Sequence, residues 1–212
     1  MVRRIAAGVA AGLLVLVMAP GVLAATFGSP DGNLTTADAP FVQTVHGQQY
    51  QWDVSGQRDA LAGVTTVGAS YFAAKPITCR DGTPGEIDTS WDGETTGAFL
   101  ATSNLTGAVA AARVTGTEAT FNLCTFAETD KTKTFTVALA LVGSSRLSKY
   151  VDQQACIDFG DGNGPVDLTS TTTSRNAVGK AFVDGHAFAS TGGDIAHQVW
   201  SSVPNPACPP ST

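Results

Sequence analysis

Between Lys131 and Gly143 the chain reads Lys-Thr-Lys-Thr-Phe-Thr-Val-Ala-Leu-Ala-Leu-Val-Gly. Phe135, Val137, Leu139 and Leu141 fall on one face of this run. Thr134, Thr136, Ala138 and Ala140 fall on the other. A period of two is the signature of a β-strand. One face is large and apolar and the other small and mildly polar, so the run suits the middle of a sheet, since an edge normally carries more charge. Cys124 precedes it and Cys156 follows it. The run is therefore expected to be the central strand of a disulfide-bonded β domain.

Shorter stretches on either side repeat the theme. Tyr50, Trp52 and Val54 alternate with polar residues after the turn residue Gly47. Val67, Ala69 and Tyr71 do the same before Pro76, and Val166–Thr173 is Thr-rich strand material. Turns are expected at Ser55–Asp59, Arg80–Gly85, Asp92-Gly93, Glu128–Asp130 and Asp184-Gly185, where Gly, Pro, Asp and Asn cluster. No segment holds a helical apolar period for a dozen residues. These features predict an all-β, antiparallel sandwich of roughly ten to twelve short strands, with immunoglobulin-like or jelly-roll connections.

The N-terminus has another purpose. Arg3 and Arg4 precede an uncharged Ala, Val, Leu and Gly run from Ile5 to Met18. Pro20 and Gly21 break that run, and Val22-Leu23-Ala24 ends in small residues that a signal peptidase accepts. Residues 1–24 are expected to be a secretory signal peptide cut after Ala24. The run is shorter than the roughly 20 residues that span a bilayer, so no membrane span is expected after cleavage. Removing 24 of the 212 residues leaves 188, enough for one domain with a substantial core. Residues 25–39 lack periodicity and are expected to be a mobile lead-in or an irregular first strand. Residues 40–212 form the single β domain, with a Pro-rich tail.

The leader holds two Arg and no acid, so the net charge of −6 becomes −8 once it is gone. An acidic, Lys-poor surface argues against nucleic acid or an anionic membrane as partner. All four cysteines, Cys79, Cys124, Cys156 and Cys208, lie in the mature part. An even number in an exported chain implies two disulfides, and no Cys-x-x-Cys pair suggests a metal site. Three pairings are open; Cys79–Cys124 with Cys156–Cys208 is favoured.

Candidate chemistry is sparse. Asp158, Asp161 and Asn163, with Asp167 nearby, supply oxygen ligands on a Gly-rich loop and could hold Ca²⁺. The same residues also suit a tight turn. The run Ile157-Asp158-Phe159-Gly160-Asp161-Gly162 resembles the Asp-Phe-Gly-Asp-Gly turn of the PKD-type β domain family. The Tyr and Gly-rich strand-loop-strand that follows in that family is missing, so the six residues assign no family. His186 and His197 each lie near an Asp, and paired strands could bring them together as a Zn²⁺ site or a base and its orienter. Trp91 stands beside Asp92-Gly93, where an exposed indole could stack on a sugar ring. Trp52 reads as core. No Gly-x-Ser-x-Gly elbow and no paired Glu residues point to a hydrolase. The expectation is a secreted, non-catalytic protein with a binding or structural role at or beyond the bacterial cell surface, its extracellular ligand unknown. A hydrolase using His186 or His197 and a Ca²⁺-stabilised carbohydrate-binding module are the alternatives.

Overall fold

A computed structural model describes residues 31–158 and 164–208. Residues 1–30, with the expected signal peptide, and the loop residues Asp161 and Asn163 lie outside them. Eleven antiparallel strands form one sheet, held with two disulfides and without helix among the described residues. The strands are β1 (Gly32–Val45), β2 (Gln48–Asp59), β3 (Val64–Thr78), β4 (Pro84–Thr96), β5 (Phe99–Thr102) and β6 (Gly107–Asn122). They continue as β7 (Ala127–Gly143), β8 (Ser148–Ile157), β9 (Val166–Val183), β10 (His186–Ala189) and β11 (Gly193–Pro204).

Three of the eleven are continuations. β4 and β5 run along one edge of β6, interrupted between Gly93 and Phe99. β7 and β8 share one edge of β9, and β10 and β11 share the other. Eight strands remain, each next to its neighbour in sequence, and β11 pairs back to β1 through Leu34–Gln198 and Ala37–Ile195. The result is an up-and-down barrel closed without crossovers. The expected packing of apolar sheet faces is thus realised by opposite walls of one sheet. A period of two reports which face of a strand is buried, whereas strand order depends on pairings far apart in the chain.

β7 lies in this ring between β6 and β9, with Val137, Leu139 and Leu141 buried as its alternation requires. Inside, Phe41, Trp52, Tyr71 and Trp91 form an aromatic cluster with the half-buried Tyr50, Phe135 and Phe188. Ring centroids stand 4.6 Å apart for Trp52–Tyr71, 4.7 Å for Phe41–Phe188 and 4.8 Å for Trp91–Phe135. Outward faces carry Asp38, Asp53, Asp92, Arg113 and Lys180 instead. Val42, Val109, Val142 and Val178 share these outward faces and are exposed. No helix among the described residues is long and apolar enough to cross a membrane.

The segment read as a mobile lead-in or an irregular first strand is, from Gly32 on, part of β1, with Leu34, Ala37 and Ala39 buried. Three expectations about turns are corrected. Glu128–Asp130 lies inside β7, and the turn comes just before it, at residues 123–126. β2 runs on through Ser55–Asp59, and the turn follows it. Asp92-Gly93 is mid-strand, and Trp91 is a 1 % exposed core residue rather than a surface platform. Gly93 is small for packing: a Cβ there would lie 2.9 Å from Val114 Cγ1 and 3.0 Å from Trp91 Cζ2. Opposite it, a Cβ on Gly116 would overlap the carbonyl of Asp92. The Gly that reads as a turn is the space into which the Trp91 ring fits.

The disulfides sit at opposite ends. Cys79–Cys124 joins the β3–β4 turn to the β6–β7 turn, and Cys156–Cys208 joins the end of β8 to the segment after β11. This is the favoured pairing. The two bridges span 45 and 52 residues, each worth about 4 kcal/mol in the chain-entropy picture.

Candidate functional site

Four polar or open regions emerge from this frame. The first lies toward the end of the barrel that carries Cys79–Cys124, where the aromatic cluster meets charge. Glu118 and Lys133 both face inward and form a salt bridge of 2.5 Å. The Tyr71 hydroxyl donates to Glu118, and Lys133 Nζ lies 3.3 Å from the Tyr71 oxygen and over its ring. Burial alone would raise the Glu118 pKa. Hydrogen bonds from Lys133 and Tyr71, with the charges of Lys133 and Lys131, outweigh it and hold the carboxyl below its usual range. Burial and the bond to Glu118 push the Tyr71 phenol up. Each group is satisfied by the other two, so the cluster works as a structural clamp.

The second region is acidic and lies on the outer wall. The ladders β11–β1–β2 set Asp194 opposite Asp38 and bring Asp53 alongside. Burial, then the negative charges of Asp53 and Asp194, raise Asp38 to about 7. Burial raises Asp53 to about 6 and pushes Asp194 up as well. These residues are distant in sequence, and only the strand pairing would have shown them together.

The third is an open hollow of about 710 Å³ between the β3–β4 and β6–β7 turns, around Cys79–Cys124. Arg80, Glu86, Leu123 and Phe126 line it. Its Asp81 is already engaged by the backbone and hydroxyl of Thr83. The hollow is turn structure serving its own geometry.

The fourth is a groove of about 340 Å³ on the outward face where β8, β9 and β11 run side by side. Strand alternation brings Tyr150, Asp152 and Gln154 of β8 to this face, opposite Thr172, Ser170 and Leu168 of β9. Gln198 of β11 completes it. Gln154 Nε2 donates to Asp152 at 2.8 Å and Gln198 Nε2 to the Ser170 hydroxyl at 3.0 Å. The polar groups are thereby held in place from both sides. Tyr150 is 67 % exposed. An open aromatic ring beside fixed carboxylate, amide and hydroxyl groups can take the C–H face of a polar ring while bonding to its edge substituents. In the sequence Tyr150 reads as an apolar strand residue. It is exposed because β8 has neither a covering layer nor an outer neighbour among the described residues.

The residues singled out from sequence are dispersed. Of the Ca²⁺ candidates, Asp158 and Asp167 are described. Both oxygens of Asp167 accept from Asn205 Nδ2 at 2.9 Å, and one accepts from the Cys156 amide at 3.2 Å. Cys156, Asp167 and Cys208 have donor atoms within 4.8 Å of one another, but both sulfurs are spent in the disulfide. Asp167 therefore clips the β8 end to the segment that follows β11. His186 is exposed at the start of β10, whereas His197 lies eleven residues on in β11, 3.1 Å from the Thr35 hydroxyl. Their partners on β9 are Val183 and Thr173, ten residues and roughly 33 Å apart at strand rise, so the two do not converge. Asp184 is bound to the Thr136 amide.

No family model, curated protein or solved structure matches the chain.

Proposed function

We propose that the chain is exported and acts outside the cell as a non-catalytic binding protein, with the β8–β9–β11 groove as its ligand site. The barrel interior is filled by its own aromatic rings, which leaves the outer surface for recognition. One observation carries the reading. An exposed tyrosine stands beside a row of oriented polar side chains on a sheet clamped by Cys156–Cys208. That combination suits a polyhydroxylated ligand such as a saccharide: the ring covers C–H surface, and Asp152, Gln154, Thr172 and Gln198 reach hydroxyl groups. Export is consistent with the two disulfides, which form and persist in oxidising surroundings.

Affinity electrophoresis through gels cast with soluble glucan, mannan, galactan or arabinan tests the site. The protein should be retarded by at least one polymer, and Tyr150→Ala should migrate as in an empty gel while keeping its circular-dichroism spectrum. Free migration of the parent protein in every gel, or equal retardation of Tyr150→Ala, overturns the reading. Export is tested separately by N-terminal sequencing of the secreted chain, which should start at Ala25.

A further inference from the structure

β8 is the longest described strand bonded along one edge only. Its companion β7 is flanked by β6, but β6 starts at Gly107 opposite Val142, so nothing described continues that ladder beside β8. The bare edge carries no proline. A register shift between Gln154 and Ile157, with Cys156 at φ 58°, ends its regular part. The regular run is thus Ser148–Gln154. Tyr150 and Val151 project from its two faces at 67 % and 48 % exposure. An uncovered edge of this kind is a template for another strand.

We propose that this edge pairs with the same edge of a second copy, antiparallel about a two-fold axis through Val151. Symmetry restricts the choice. A two-fold that sets two copies of one edge antiparallel in a single sheet stands perpendicular to that sheet, so it preserves the faces. Opposed residues must then share a face, and their numbers share parity. Val151 is the midpoint of Ser148–Gln154, and centring there uses the whole run. It sets Val151 against itself, Tyr150 opposite Asp152, Lys149 opposite Gln153 and Ser148 opposite Gln154. No like charges meet. Centring on Asp152 would oppose two carboxylates, and centring on Tyr150 would shorten the ladder. The dimer stands independently of the saccharide reading. If both hold, two grooves adjoin across the axis on one continuous face.

Sedimentation velocity over roughly 1–100 µM should show a concentration-dependent dimer. Val151→Lys places two ammonium groups on the axis and should weaken dimerisation at least about tenfold, an effect of the size expected for opposed like charges. Because Val151 is half exposed, the monomer should melt as the parent does. In a second variant, Val151→Cys, the two introduced sulfurs should form a disulfide between copies, seen in non-reducing peptide maps. Directly opposed strand residues have Cα atoms about 4.5–5.5 Å apart, within disulfide reach. Val178→Cys, exposed on β9 seven residues beyond Thr171, the partner of Val151, should not cross-link. A monomer at every concentration, a dimer unaffected by Val151→Lys, or equal cross-linking at both positions overturns the proposal. A parent protein that stays monomeric yet is retarded by polysaccharide would sink the dimer and leave the groove standing.

Discussion

The closed ring and the β8–β9–β11 extension are built from the same kind of strand, yet they spend their side chains differently. In the ring every strand face that turns inward meets the opposite wall. Trp52, Tyr71, Trp91 and Val137 disappear, and Glu118 is tolerated inside because Lys133 and Tyr71 complete it. In the extension β9 still has neighbours on both sides, and burial is patchy: Trp200, Val166 and Leu34 are buried on the face that carries Tyr150. Tyr150, Val151, Val199 and Val203 remain exposed there. Covering by a second layer, more than composition, decides which aromatic becomes core and which becomes surface. The ring supplies stability and the extension supplies access.

The sharpest way to break this contrast is to cut one aromatic from each region. Trp91→Ala should cost about 3–5 kcal/mol in urea unfolding, as expected for a large residue removed from a packed interior. A loss below about 1 kcal/mol would mean that the ring is not the stability core. The disulfides should differ in the same sense. Replacing Cys79 and Cys124 by Ser should lower global stability by about 2–4 kcal/mol. Replacing Cys156 and Cys208 should chiefly speed amide exchange in β8 and the end of β11 while the ring stays protected, which hydrogen-exchange mass spectrometry would resolve.

A smaller effect comes from the outer wall. Asp38 and Asp53 titrate in the folded protein at about 7 and 6, above the usual carboxylate range. The folded state therefore binds more protons than the unfolded chain between about pH 4 and pH 7, so stability should fall as pH rises through that window and level off above it. Asp38→Asn should flatten the slope and raise stability at pH 7.5 by about 1–2 kcal/mol. Glu118 has the opposite sign. Its depressed pKa gives stability that is present above the usual Glu range and is lost only at lower pH. A melting temperature that rises steadily from pH 4 to pH 7 would refute the acidic-wall account. The smallest stability effect should be Tyr150→Ala, within about 0.5 kcal/mol as for other exposed positions. Since Asp167 is already bound by Asn205 and Cys156, a chelator should leave the melting temperature unchanged; a fall would restore a metal role to the 158–167 loop.

Much of the fold can be read in the residues. The alternation at Lys131–Gly143 marks a strand with a buried face, and Cys79–Cys124 with Cys156–Cys208 is the pairing that chain order favours. His46-Gly47 and Asp184-Gly185 are tight turns with both residues at positive φ, as short hairpin loops require. Strand order is hidden, because ring closure depends on Leu34 meeting Gln198 and no local pattern encodes that. Trp91 misleads because Asp-Gly is turn chemistry, whereas here Gly93 exists to admit a ring. The groove is invisible for a related reason. Tyr150 and Gln198 are ordinary strand residues until β9 sets them side by side, and Tyr150 is exposed because no layer lies over β8 among the described residues.

The seam between β1 and β11 has a consequence for how the molecule comes into being. Its two halves lie at opposite ends of the described chain, so the cylinder cannot shut while β11 is still being made. Through that interval β1 waits with one side unclaimed, a contact of very long range and therefore a slow one to form. Until the trailing strand arrives, the leading one is open to a wrong neighbour.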